Sequence, residues 1–257
     1  MLNTGFNIQI NAERMTFQYG NDVFGPEAEK RKLSDIRKSL SDPNAKGPEI
    51  VYSVAMDVGK EKDRKDLNKR NLLYGAMIFA KGHIGNEPIR SQGHVHSVSM
   101  SCNASTPEVY EIWSGDAIIY MQEHDSDNPG RCIAVNAHAG NIVIVPPGWA
   151  HCTINANIDI EMTFGAWCVR DYGFNYVGVR KHGGLSYFPT LEGGKIQWLK
   201  NYQYLESTLE IRNAREYSEI EILKGVPIYT QYENNKDLFQ FVYDPQIASD
   251  MWKNYIP

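Results

Sequence analysis

The sequence is short of several things, and each shortage excludes something. Its 257 residues contain only four cysteines, Cys102, Cys132, Cys152 and Cys168, and no two form a CxxC pair. That argues against a disulfide framework and against a cysteine-rich structural zinc site, and isolated thiols fit a reducing compartment. Positive charge is also scarce. Lys and Arg number 26 against 31 Asp and Glu, a net charge of -5, so the broad basic face that grips nucleic acid through its phosphates is not expected. No run approaches the roughly 18 consecutive apolar residues of a membrane span. Residues 1–10 lack the basic start and apolar stretch of a signal peptide. The expectation is a cytoplasmic protein with neither a membrane nor a nucleic acid as partner. No repeat of solenoid length and no low-complexity tract interrupts the chain.

What is present divides into three textures. Residues 26–40 carry Leu33, Ile36, Arg37 and Leu40 at helical spacing, with Pro26 at a plausible first turn, and predict an amphipathic helix. The mixed charges of 60–70 predict an exposed loop or short helix. From about 72 to 177, short runs rich in Val, Ile, Tyr and Trp alternate with Gly, Pro and Asn, as at 76–79, 109–113, 117–121, 142–145, 152–154 and 162–169. Many short strands closed by turns predict a mostly β sandwich or barrel. Residues 205–222 are polar and predict a helix or an irregular arm. Further on, 227–232 and 238–243 alternate about Asn234-Asn235 and predict a β-hairpin. The resulting organisation is an N-terminal arm over 1–45, a barrel over 46–200 and a C-terminal extension over 201–257, packed on the barrel or on a partner subunit.

Two stretches carry chemistry. Gly93-His94-Val95-His96 sets two imidazoles at i and i+2, on one face of a strand, where both can reach one ion. Pro146-Pro147-Gly148-Trp149-Ala150-His151 adds a third imidazole after a turn, and Glu108 between them offers a carboxylate. Three imidazoles and one carboxylate suit a divalent first-row ion with positions left open for substrate. Tyr110 shares the strand face of Glu108 and is expected to point into the same cavity. Trp149 is expected to pack the barrel mouth, and Cys152 and Cys168 to be buried as small apolar groups. His83, His124, His138 and His182 lie beside turn or polar residues without ligand spacing and are read as solvated.

The spacing from Gly140 through His151 to Asn155 resembles the second motif of the cupin superfamily, and Glu108 to Gly115 resembles the end of its first, which the HxH pair begins. Eleven residues separate His96 from Glu108, where that motif is usually much shorter; they are expected to form a longer loop between adjacent strands. Within the superfamily, the chain resembles the cupin-type phosphoglucose isomerases over roughly residues 25–200. The likeness rests on residues 91–96, on 107–111 and on 145–155, with 31–37 and 85–87 in agreement.

That resemblance implies a double-stranded β-helix and interconversion of glucose 6-phosphate and fructose 6-phosphate. It assigns His94, His96, Glu108 and His151 to the metal. Ser91 and the backbone of Gly93 fall to the phosphate, and Tyr110 and Tyr176 to the substrate. For a proton route Glu108 is the candidate base, with Tyr110 beside it; a hydride route, in which no base touches carbon, stays open. Fe2+ is the expected ion, with Mn2+, Ni2+ or Zn2+ as alternatives, and a homodimer is the expected assembly. Three positions depart from the family pattern: Phe174 stands where a histidine is usual, Cys168 where a tyrosine is, and Met77 near a usual threonine. A metal-dependent dioxygenase and a non-catalytic sugar-phosphate binder are the competing readings.

Overall fold

The computed structural model describes residues 3–257; the first two residues of the expected N-terminal arm lie outside it. Two sheets face one another, antiparallel but for one parallel pair. The first is built from β1 (Glu29–Lys32), β2 (Ile50–Met56), β3 (Leu72–Phe79), β5 (Glu108–Ser114), β8 (Ile142–Val145) and β10 (Met162–Val169). Its strands run in the order β8-β5-β10-β3-β2-β1. The second has the order β9-β6-β7-β12, from β6 (Asp116–Gln122), β7 (Cys132–His138), β9 (Ala150–Asn155) and β12 (Leu209–Asn213), with β12 parallel to β7. Short strand β4 (Val95–His96) pairs with β11 (Phe174–Asn175) at one end of the barrel. This is the mostly β cupin barrel that the motif spacing implies.

Both outer faces are covered, so the strands lack the polar alternation of half-exposed β-structure; all eight residues of β3 are buried. Ile112, Ile119, Val135, Val143 and Phe164 fill the space between the sheets. Val109, Trp113, Tyr74 and Trp167 turn the other way and pack against Phe6 and Ile8 from the N-terminus and Tyr229, Tyr232 and Phe239 from the C-terminal extension. The second sheet is covered in turn by Val179, Leu185 and Trp198.

Three expectations are corrected. The helix predicted over 26–40 is a single α-turn, Leu33–Ile36, followed by a 3-10 turn, Arg37–Ser39, and Glu29–Lys32 is a strand paired with β2. The apolar stripe starts only at Leu33; upstream, the charged residues gain more by completing the backbone bonds of a sheet edge, where charge also discourages edge-to-edge association. The stripe itself holds, since Leu33, Ile36 and Leu40 all enter the core. The expected hairpin consists instead of two helices, Ile228–Asn234 and Gln240–Tyr243. Ile228, Tyr229 and Tyr232 satisfy a helical stripe as well as an alternating one, and packing on Trp167 favours the helix. Finally, His182 is buried rather than solvated: Nδ1 bonds to the Gly178 carbonyl at 2.7 Å and Nε2 to Asp127 at 2.9 Å. His83, His124 and His138 are exposed as expected. Residues 205–222 supply the irregular arm, apart from β12 and one 3-10 turn, and 61–69 form a 3-10 turn and a short helix.

Candidate metal centre and its cavity

His94, His96, Glu108 and His151 converge at the end of the barrel where β4, β5 and β9 meet. One ligand atom from each lies within 4.8 Å of all the others. The placement is local backbone work. His94 and His151 exchange both backbone hydrogen bonds, at 3.0 and 2.9 Å, which locks the HxH segment to β9. Gly93 has φ +87°, a conformation costly for a residue with a Cβ, and that Cβ would stand 3.0 Å from Leu185. The loop over 97–107 is braced: Ser97 N donates to the Gly173 carbonyl at 2.8 Å, and Ser99 Oγ and Ser101 N donate to Asp171 at 2.8 and 3.1 Å. It is the long loop expected and carries the chain to the first residue of β5, Glu108, but the strands it joins are not neighbours in a sheet, since β4 pairs with β11 and β5 with β8 and β10.

The donor set fits a cation on chemical grounds. His96 Nδ1 donates to the Thr106 carbonyl at 2.8 Å and His151 Nδ1 to the Trp149 carbonyl at 3.1 Å. A carbonyl can only accept, so in each neutral ring Nε2 carries the lone pair. The Nε2 atoms of His94, His96 and His151 are all buried without a hydrogen-bond partner. Glu108 Oε2 approaches those of His96 and His151 at 3.3 and 3.4 Å. Acceptors facing acceptors repel unless a cation lies between them. Burial, followed by the neighbouring imidazoles, holds His94 well below the ordinary histidine range. Burial likewise lowers His151. For Glu108, burial pushes the carboxyl up, but positive charge at the facing His151 and His96 rings, the place an ion would take, outweighs it and holds the group well below the usual carboxylate range. Neutral imidazoles and an ionised carboxylate are the protonation states that metal ligation requires.

The centre forms part of the wall of a cavity lined mainly by apolar side chains with a few convergent polar groups, the usual make-up of a small-molecule site. Ser91, His94, Glu108, Tyr110 and Tyr176 line it. Gly93 does not, and serves the turn into His94. Ser91 Oγ accepts from Thr153 N at 3.0 Å, leaving its own proton free to donate. Tyr110 donates to Glu108 Oε2 at 2.7 Å; burial, then the Glu108 charge, push its phenol well above the usual range, so it stays a donor. Tyr176 faces His94 with ring centroids 5.9 Å apart, and the Arg180 guanidinium sits 4.7 Å from its ring. Phe174 packs edge-on against His94, ring centroids 4.5 Å apart, and lines the same cavity.

Two further groups escaped the sequence reading. Cys168, expected as an apolar filler, is buried but points its thiol at Glu108 Oε1, 3.2 Å away. Arg31 lines the cavity from the edge strand β1. The only signal for either was its place in the family resemblance, Cys168 as a departure and Arg31 as part of the 31–37 segment.

The class that fold and site define is a cupin barrel whose buried three-histidine, one-carboxylate cluster could hold a metal ion beside a cavity. Residues 30–206 match the family described as glucose-6-phosphate isomerase (GPI), and the chain belongs to that family. The glucose-6-phosphate isomerase of Thermococcus litoralis is 30% identical over 172 residues, 65% of this chain and 82% of the relative. That of Thermococcus onnurineus is 30% identical over 183 residues, 68% and 88% respectively. Among solved structures, a Bacillus subtilis oxalate decarboxylase covers 62% of this chain and 30% of its own at 13% identity, with a TM-score of 0.35, an overlap too loose to add to the topology.

Proposed function

We propose that this protein is a metal-dependent aldose–ketose isomerase interconverting glucose 6-phosphate and fructose 6-phosphate. The observation that supports it best is the convergence of three unpartnered Nε2 atoms and the Glu108 carboxylate on one wall of a cavity. His94, His96, Glu108 and His151 would hold the ion, with Fe2+ as the first candidate and Mn2+, Ni2+ or Zn2+ as alternatives. When bound, such an ion supplies Lewis-acid polarisation of the substrate carbonyl.

The remaining work falls to the chain's own groups. Glu108 is the base that takes the proton from C2 of the sugar and returns it to C1. Its two oxygens are differently engaged: Oε2 faces Tyr110 and the imidazoles, whereas Oε1 meets only the weak Cys168 donor, leaving a lone pair for the substrate proton. Tyr110 fixes the carboxylate and offers its hydroxyl to the cavity. Ser91 donates its free hydroxyl proton to the phosphate, Gly93 shapes the backbone beside it, and Tyr176 lies along the sugar. Phe174 and Met77 give this pocket a more apolar wall than the family pattern, which bears on the choice between epimers at C2.

We take the working unit to be a cytoplasmic homodimer; four unpaired cysteines among the described residues are in keeping with a reducing compartment. The division at residues 45 and 200 is kept as a description of three parts of one folding unit, since β1 and β12 insert the arm and the extension into the barrel sheets. A coupled assay with glucose, fructose and mannose 6-phosphates tests the reading. Turnover of the glucose–fructose pair supports it; oxygen consumption without isomerisation, or tight binding without turnover, overturns it.

A further inference from the structure

A sugar phosphate brings a dianion into the cavity, and the protein must hold it against a net negative chain. Among the described residues lining that cavity, Arg31 alone carries a permanent positive charge. It sits on edge strand β1, opposite Tyr52 of β2, which lines the same space. Among the described residues its one carboxylate partner is Glu29, two residues away on the same strand. Nη1 and Nη2 reach the two Glu29 oxygens at 3.0 and 3.1 Å. The side chains are 28% and 63% exposed, a setting in which an ion pair contributes little to stability and exchanges readily. The fork that now spans one carboxylate matches two oxygens of a phosphate equally well. The neighbouring Arg180 does not compete for this role, because it donates to Gln92 at 3.0 Å and lies over Tyr176. The reach of Arg31 is visible in its neighbours: burial raises the phenols of Tyr52 and Tyr176, and the Arg31 charge opposes that rise in both. Charge balance points the same way. A divalent ion held by one carboxylate leaves a single positive charge, and a phosphate dianion needs one more.

We propose that Arg31 is a phosphate-binding residue of this enzyme, held ready in a fork with Glu29 that opens when the substrate's phosphate replaces the carboxylate. The inference rests on the sugar-phosphate reading above. It makes Arg31 and Glu29 opposites in function although they are partners in structure. Glu29 competes with the substrate, and Arg31 binds it.

The test uses inorganic phosphate as the probe, by calorimetric titration of the full-length, metal-loaded protein, alongside steady-state kinetics with fructose 6-phosphate. Arg31→Ala is expected to weaken phosphate binding and raise KM about tenfold or more, the scale of a lost charge-assisted hydrogen bond, with kcat changed far less. Arg31→Lys recovers part of the affinity, since it restores the charge without the fork. Glu29→Gln tightens phosphate binding, because it removes the competitor. A merely structural ion pair predicts the contrary, with Arg31→Ala and Glu29→Gln lowering thermal stability alike and leaving phosphate affinity unmoved; that result overturns the proposal. Circular dichroism of both variants separates misfolding from lost binding. If the wild type fails to isomerise sugar phosphates yet loses phosphate binding on Arg31→Ala, the functional reading fails and this inference stands. If it isomerises and Arg31→Ala leaves both phosphate affinity and KM unchanged, the inference alone fails.

Discussion

Cys168 holds its thiol 3.2 Å from Glu108 Oε1, on the side of the carboxylate away from Tyr110. The two donors, on β10 and β5, clamp a single carboxylate from opposite sides and fix the plane in which it faces the imidazoles. Burial, then the Glu108 charge, push the thiol well above the ordinary cysteine range, so it serves as a donor and not as a nucleophile.

Replacing that thiol is therefore expected to affect the metal centre before it affects the fold. Cys168→Ala should weaken metal affinity by about tenfold or more, the usual cost of losing a group that orients a ligand, while Cys168→Ser retains a donor and stays closer to wild type. Competition with a fluorescent chelator reads the difference. In the folded protein, iodoacetamide should leave Cys168 unmodified while labelling the more accessible Cys102.

The unpartnered imidazole nitrogens predict a protein that gains stability from metal. At a free ion concentration about a hundred times Kd, binding to the native state alone adds about 2.7 kcal/mol, which corresponds to several degrees in Tm for a chain of this size. Thermal denaturation of metal-free protein with and without added Mn2+ or Fe2+ measures this. Glu108→Gln, which replaces the carboxylate with a weaker neutral ligand, should abolish most of the shift; an equal shift in the variant would place the stabilising ion elsewhere.

Much of this centre is legible in the sequence, and the reason is spacing. An HxH pair and a Pro-Pro-Gly-Trp-Ala-His turn fix their own geometry, because a two-residue strand period and a tight turn leave little freedom over so short a distance. The barrel strands at 109–113, 142–145 and 162–169 are legible for a similar reason, as compact β-branched and aromatic runs closed by turns. What fails depends on contacts distant in sequence. The helices at 228–234 and 240–243 are decided by Trp167, about sixty residues earlier, and the edge strand at 29–32 by the unpaired backbone of β2. Cys168 and Arg31 belong to the site only because the barrel closes, and no local pattern marks a cysteine aimed at a carboxylate.

The C-terminal extension carries its own pH signature. Glu111, on the face of β5 opposite Glu108, is buried beneath helix Ile228–Asn234 and accepts hydrogen bonds from Ile228 N at 3.2 Å and Trp113 Nε1 at 3.3 Å. Burial raises its carboxyl to about 7, only partly offset by these donors. The native state thus holds this proton more tightly than the unfolded chain, whose reference value is 4.5. Its stabilising contribution is complete below that reference value and is lost as pH rises through about 7, up to about 3 kcal/mol. Tm measured from pH 5 to 8 should fall more steeply in wild type than in Glu111→Gln, and parallel curves would remove Glu111 as the cause.

The most direct test of the account is a metal titration of activity. Chelator-stripped protein is supplied with Fe2+ or Mn2+ in steps, and conversion of fructose 6-phosphate to glucose 6-phosphate is followed at each step. The account predicts negligible turnover without metal, a linear rise, and a plateau at one ion per chain that Glu108→Gln does not reach. Full isomerase activity in the metal-free sample would contradict it.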